Sequence, residues 1–114
     1  MGDPIGNQGI TTPNSAAYEA SRILKAGPGT LLSLLVYNSK VSAQFIQLHN
    51  SLTVPADTAV PIATFTVPAS SNFSLLIPLS GIPFSTGIVV CSSSTGPTKT
   101  LGVASDCFFT AVVR

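Results

Sequence analysis

Charge is what this sequence has least of: four acidic and five basic residues among 114, 8% together, and a single histidine. A typical soluble domain carries roughly 25% charged residues, so the surface must be built from Ser, Thr, Asn, Gln and apolar groups. The formal net charge is +1, and the cations Arg22, Lys25, Lys40, Lys99 and Arg114 are scattered along the chain. No basic field gathers phosphates, which argues against nucleic acid as a partner. Long apolar runs are also missing. The longest, Leu31 to Tyr37, is broken by Ser33 and falls far short of the roughly 20 residues of a membrane helix. No cationic and apolar leader is visible in Met1 to Ile10, so a cytoplasmic origin is expected. Disorder is excluded as well, because 45% of the residues are hydrophobic and the mean hydropathy is +0.49.

Groups that do chemistry are equally scarce. The carboxylates are Asp3, Glu19, Asp57 and Asp106, and His49 has no Cys, Asp or Glu within seven residues on either side, so no metal-ligand spacing exists. His49 reads as a partly exposed polar strand end. The serines sit in no G-x-S-x-G elbow, and a triad would have to bring His49 to Asp57 or Asp106 through space. Thr95 to Thr100 has Thr98 where a phosphate loop needs glycine, and Pro97 removes a backbone donor; a solvated hairpin loop is expected. No catalysis, cofactor, metal or small-molecule substrate is expected. Cys91 and Cys107 would lie side by side if their strands paired in a hairpin centred near Lys99, but a reducing cytoplasm favours unbridged thiols. The sequon Asn72-Phe-Ser74 has no meaning without secretion. For a sugar groove, Tyr37, Gln44, Gln47 and Asn50 are the candidates.

What the chain has is a series of short β-type runs divided by turn residues, the pattern of an antiparallel sandwich or barrel. Strands are expected at Tyr18 to Lys25, Thr30 to Tyr37, Ser42 to His49, Val60 to Val67, Phe73 to Leu79, Gly87 to Ser92 and Asp106 to Val113, with a weak one near Lys99 to Val103. Ser15 to Ala26 is the only stretch with helical character as an alternative. Residues 1–15 read as an extended Gly/Pro/Asn arm outside the core, and 16–114 as one β-sandwich domain. Phe73, Leu75, Ile77 and Leu79 share a face, as do Ala63, Phe65 and Val67; these faces should point inward. Leu31 to Tyr37, Ile88 to Cys91 and Cys107 to Phe109 are apolar on both faces. Either they are covered on both sides or their outer faces meet a partner. A chain this neutral is also poorly protected from association.

The segments Leu34-Leu-Val-Tyr-Asn-Ser-Lys40, Ala43-Gln-Phe-Ile-Gln-Leu-His49, Val67-Pro-Ala-Ser-Ser-Asn-Phe-Ser74 and Phe84 to Thr100 together resemble the small virion proteins of tailed bacteriophages. They most resemble head decoration, or cement, proteins with a jelly-roll-like β-sandwich, over about residues 18–113. The resemblance implies a structural protein on the outer surface of the virion capsid, bound to the major capsid protein and to copies of itself as a trimer or dimer. It carries no catalytic residues. A neck, tail or fibre-base position in the same particle is the alternative, and a small carbohydrate-binding module or a His49 hydrolase the rival from another class. Ile5 and Ile10 of the arm, with Leu31, Leu35 and Tyr37 of the two-sided run, are the expected partner contacts.

Overall fold

The computed structural model describes residues 9–77, 81–96, 98–100 and 107–114. Eight strands form: β1 Ser21–Lys25, β2 Gly29–Asn38, β3 Gln44–Asn50, β4 Ala63–Val67, β5 Ser71–Leu76, β6 Ile82–Phe84, β7 Ile88–Ser93 and β8 Cys107–Val113. The first sheet runs β1-β7-β3-β4. In the second, β2 pairs with β8 on one side and with β5 and then β6 on the other. All pairs are antiparallel.

The expected arm boundary at residue 15 does not hold. Thr11 and Val113 exchange backbone hydrogen bonds at 2.9 and 3.0 Å, Ala111 N–H donates to the Pro13 carbonyl, and Ser15 and Glu19 N–H donate to the carbonyls of Phe109 and Cys107. Residues 11–19 thus run along β8 as an edge strand. An exposed β8 ladder would leave donors and acceptors unmatched, and the nearest backbone is the chain's own. Counting this segment, the sheets read 11–19/β8/β2/β5–β6 and β1/β7/β3/β4, the strand order of a jelly roll with its two Greek keys.

The run expected from Tyr18 to Lys25 splits for the same reason. Glu19 bonds β8 of one sheet, while the Ala20 carbonyl accepts from Ser92 N–H and Ser21 pairs with Cys91 in the other. Helix is ruled out there because both neighbours claim its backbone groups. Ile82–Phe84, between the expected strands Phe73 to Leu79 and Gly87 to Ser92, forms β6, which continues the β5 edge along Gly29–Leu31; Pro83 is tolerated because it stands at a sheet edge. Gly81 precedes it with φ 78°, and a Cβ there would come within 2.6 Å of the Leu31 carbonyl oxygen, so the bend requires glycine. Of the weak strand near Lys99, residues 99 and 100 are not in a strand and 101–103 lie outside the described residues.

The alternating faces point as expected for Ala63, Phe65, Val67, Phe73, Leu75 and Ile77, while Leu79 lies outside the described residues. Phe65, Phe73, Leu75 and Ile77 pack against a buried core that contains Leu34, Val36, Ile46, Leu48, Ile88, Val90, Phe109 and Val113. On β8, Cys107, Phe109, Ala111 and Val113 are buried and face inward, while Phe108, Thr110 and Val112 lie on the outer face and are less buried. Leu31 was expected to meet a partner. It is instead fully buried in this core, because the irregular register between Leu31 and Ser33 moves the outer-facing set of β2 to Ser33, Leu35 and Tyr37.

Candidate functional site

The two sheets differ on their outer faces. On the first, Gln47 and His49 of β3 and Val89, Cys91 and Ser93 of β7 all point away from the core, and all are buried. What covers them is the chain itself. The Gln47 side-chain amide donates to the carbonyls of Thr95, Gly96 and Thr98 at 2.9 to 3.1 Å, clasping the connection that follows β7 onto the sheet. Lys99, read from sequence as part of a solvated loop, is buried; its ammonium donates to Asp57 Oδ1 at 2.9 Å. Its backbone exchanges hydrogen bonds with Thr58 and Ala59, which ties this connection to the β3–β4 loop. Among the described residues no buried side-chain nitrogen or oxygen lacks a partner.

That clasp corrects several expectations. His49 is buried, and Nε2 lies 3.1 Å from Gln47 Oε1. Asp57 turns its carboxylate to Lys99, and Asp106 lies outside the described residues. Gln44 shares a 2.9 Å hydrogen bond with the Ser92 hydroxyl, and Asn50 bonds Ser85, Thr86 and Gly87. The amides expected in a sugar groove are therefore spent on the fold. The hairpin imagined for Cys91 and Cys107 does not form, since β7 and β8 belong to different sheets; both cysteines are buried and unbridged. Among the described residues no three His, Cys, Asp or Glu side chains come together as a metal site. No helix there is long and apolar enough to cross a membrane.

Burial, and then the positive charge of Lys99, hold the His49 pKa below its usual 6.5. The neutral ring is thus favoured in the folded state, and the unfolded chain binds the extra proton first. Stability from this group is present above pH 6.5 and is lost as pH falls toward the lower folded value. His49→Gln is expected to flatten that acid limb. Urea titrations of both proteins between pH 7.5 and 5 check it, and parallel curves would show that other groups carry the dependence.

On the second sheet the outer face is open. Tyr37 and Phe108, directly opposite in the β2–β8 ladder, stack with centroids 5.4 Å apart, and Tyr18 joins Phe108 at 5.8 Å. Tyr18 and Leu35 are each 49% exposed and Phe108 39%. Their outward-facing neighbours Ser33, Asn72, Ser74, Thr110 and Val112 are uncharged. Beside the aromatic row lies an open depression of about 320 Å³ lined by Asn14, Ser15, Ala16, Ala17, Tyr18 and Phe108. Its wall is fixed by hydrogen bonds from Ser15 Oγ to the Glu19 carboxylate and from Thr110 Oγ1 to Asn14 Oδ1, and Arg22 holds Glu19 in turn at 2.6 Å.

Of the expected contacts, then, Leu35 and Tyr37 stand on this face, Leu31 does not, Ile10 is half-buried beside the 11–19 edge strand, and Ile5 lies outside the described residues. Tyr18 and Phe108 were missed as site residues. The signal for Phe108 was the two-sided run Cys107 to Phe109; nothing local placed Tyr18 beside it. The chain matches no protein-family model, no curated protein and no solved structure.

Proposed function

We propose that this chain is a structural virion subunit, a decoration or cement protein that docks on the outside of a phage head and clamps neighbouring major capsid subunits. The observation that carries this reading is the uncharged, partly exposed row Tyr18, Phe108, Tyr37 and Leu35 on the outer face of the second sheet. Exposed apolar surface of this kind is where soluble proteins meet other proteins, and aromatic anchors dominate such contacts. Apart from the mutually neutralised Glu19–Arg22 pair beside Tyr18, the residues around the row are uncharged, so the complementary shell surface is itself apolar or hydroxyl-rich.

Magnitudes bear on how the clamp works. Full burial of such a side chain contributes about 1.5–3 kcal/mol; four that are already half covered would add about 1 kcal/mol each. That sum corresponds to an affinity of about 1 mM before the entropy of association is subtracted. One face alone is too weak, and attachment must rest on several faces acting together.

The test is co-sedimentation with capsids assembled without this protein. The intact chain is expected to pellet with them, and the Tyr18→Ser/Phe108→Ser variant to remain in the supernatant while keeping the far-ultraviolet dichroism of the intact chain. Equal pelleting of the two would overturn the reading. The depression beside Tyr18 favours a second reading, a carbohydrate module in which an aromatic wall and the Asn14 amide hold a sugar. Titration with neutral mono- and disaccharides separates the two: shifts in the Tyr18 and Phe108 ring resonances, with no capsid binding, would establish the module instead.

A further inference from the structure

The lateral edges of the sandwich are not treated alike. An open sheet edge offers unpaired N–H and C=O groups to any other strand, and proteins blunt such edges with charge, proline, bulges or a covering segment. Three such devices occur here. The β8 edge is covered by residues 11–19. The β1 edge carries Arg22 and Lys25 and slips register between Ile23 and Lys25. The β6 edge contains Pro83. Among the described residues β4 has none of them: its register with β3 is unbroken from Ala63 to Val67, it contains neither charge nor proline, and its ladder partner there is β3 alone. Between residues 41 and 98 the only charged side chain is Asp57.

The sequence of this bare edge, Ala63-Thr-Phe-Thr-Val67, reads nearly the same in both directions. Antiparallel pairing with a second copy about a two-fold axis at Phe65 sets Thr64 against Thr66 twice on the outer face. On the inner face Phe65 meets its own copy and Ala63 meets Val67. Thr–Thr and aromatic pairs are among the cross-strand combinations that stabilise antiparallel ladders, and Thr64 and Thr66 are exposed and in position for it. The same operation tried on β5, about Phe73, sets Ser71 against Leu75, so β5 lacks this self-match. Phe65 is already stacked on Phe73 at 5.4 Å, so a rigid aromatic pair stands at the seam.

We infer that β4 is a homotypic docking edge: two copies of this chain join β4 to β4 in antiparallel register centred on Phe65, making one continuous sheet of eight strands. A two-fold contact uses the same patch on both partners, and strand addition of this kind draws its affinity from backbone hydrogen bonds. The inference deepens the structural-subunit reading, on which it rests, by naming the surface through which like copies join. A dimer would present two aromatic faces at once, which is what a contact of about 1 mM per face needs.

The experiment is done on the isolated full-length chain, without capsids, so its outcome is independent of shell attachment. Sedimentation equilibrium over a range of concentrations is expected to give twice the chain mass for the intact protein. Thr64→Lys/Thr66→Lys, which places lysine against lysine at both outer pairs and removes the Thr64 hydrogen bond to the Gly96 carbonyl, is expected to give the single-chain mass with unchanged dichroism and a thermal midpoint that no longer rises with concentration. Mixing this variant with Thr64→Glu/Thr66→Glu is expected to restore the doubled mass, because each pair is then of opposite charge. An intact protein of single-chain mass at every concentration would overturn the inference, as would a lysine variant that keeps the doubled mass. Failure of the mixed pair to associate would place the contact elsewhere.

Discussion

Gln47→Leu is expected to cost about 2–4 kcal/mol and to make Cys91 reactive. The Gln47 side chain is fully buried, and its amide is the shared donor for the Thr95, Gly96 and Thr98 carbonyls. Leucine has a similar volume and no donor. Each of the three carbonyls keeps a second donor, Ser93 Oγ for Thr95, Thr64 Oγ1 for Gly96 and Thr95 Oγ1 for Thr98, so what is lost is three hydrogen bonds at about 0.5–1.5 kcal/mol each. The connection then loosens from the sheet, and the Cys91 thiol beneath it is uncovered. In the intact fold burial pushes that thiol up to about 11, against the opposing influence of Lys99. It is therefore protonated at neutral pH and shielded, and a thiol reagent should react only through unfolding. Urea unfolding of both proteins checks the stability, and the rate of native-state thiol labelling in a Cys107→Ala background checks the opening. A Gln47→Leu protein whose thiol stays as slow as in the parent would show that the clasp is held by other contacts, the Lys99–Asp57 pair foremost.

Phe109→Ala is expected to be the most damaging single truncation in the second sheet, at about 4 kcal/mol. Phe109 is the largest side chain without exposure, set on β8 opposite Val36. Its backbone also receives the 11–19 edge strand through Ser15, at 2.9 and 3.0 Å. The cavity left behind has walls that belong to both sheets and cannot close without shifting one of them. Domains of this kind are stable by about 5–15 kcal/mol, so the loss is a large share of the whole and is readable as a lowered urea midpoint. Phe108→Ala, one residue away and half-exposed, is expected to change that midpoint little while removing the aromatic row. The contrast between neighbouring residues separates the face that holds the sandwich together from the exposed face.

Asn38 shows how the far end of the sandwich is closed. Its amide donates to the carbonyls of Ser42, Val67 and Pro68, and its oxygen accepts from Lys40 N–H. One buried side chain thus ties the β2–β3 and β4–β5 turns together. Asn38 is the last residue of β2, and its side chain does the turning.

The β character of the chain, seven of the eight strands and the inward faces of β4 and β5 were legible in the sequence, because a period of two is a local pattern that the pleat converts directly into sides. The shortage of charge was equally legible. Tertiary structure alone decided which sheet each strand joined, since pairing is a contact between residues far apart in sequence. It placed β7 and β8 in different sheets, turned residues 11–19 into an edge strand, and buried Lys99 and His49 under a returning loop. For two-sided apolar strands the sequence leaves both outer faces equivalent. Only the path of the connection after β7 covers one of them, and it leaves Tyr18, Tyr37 and Phe108 on the other partly exposed.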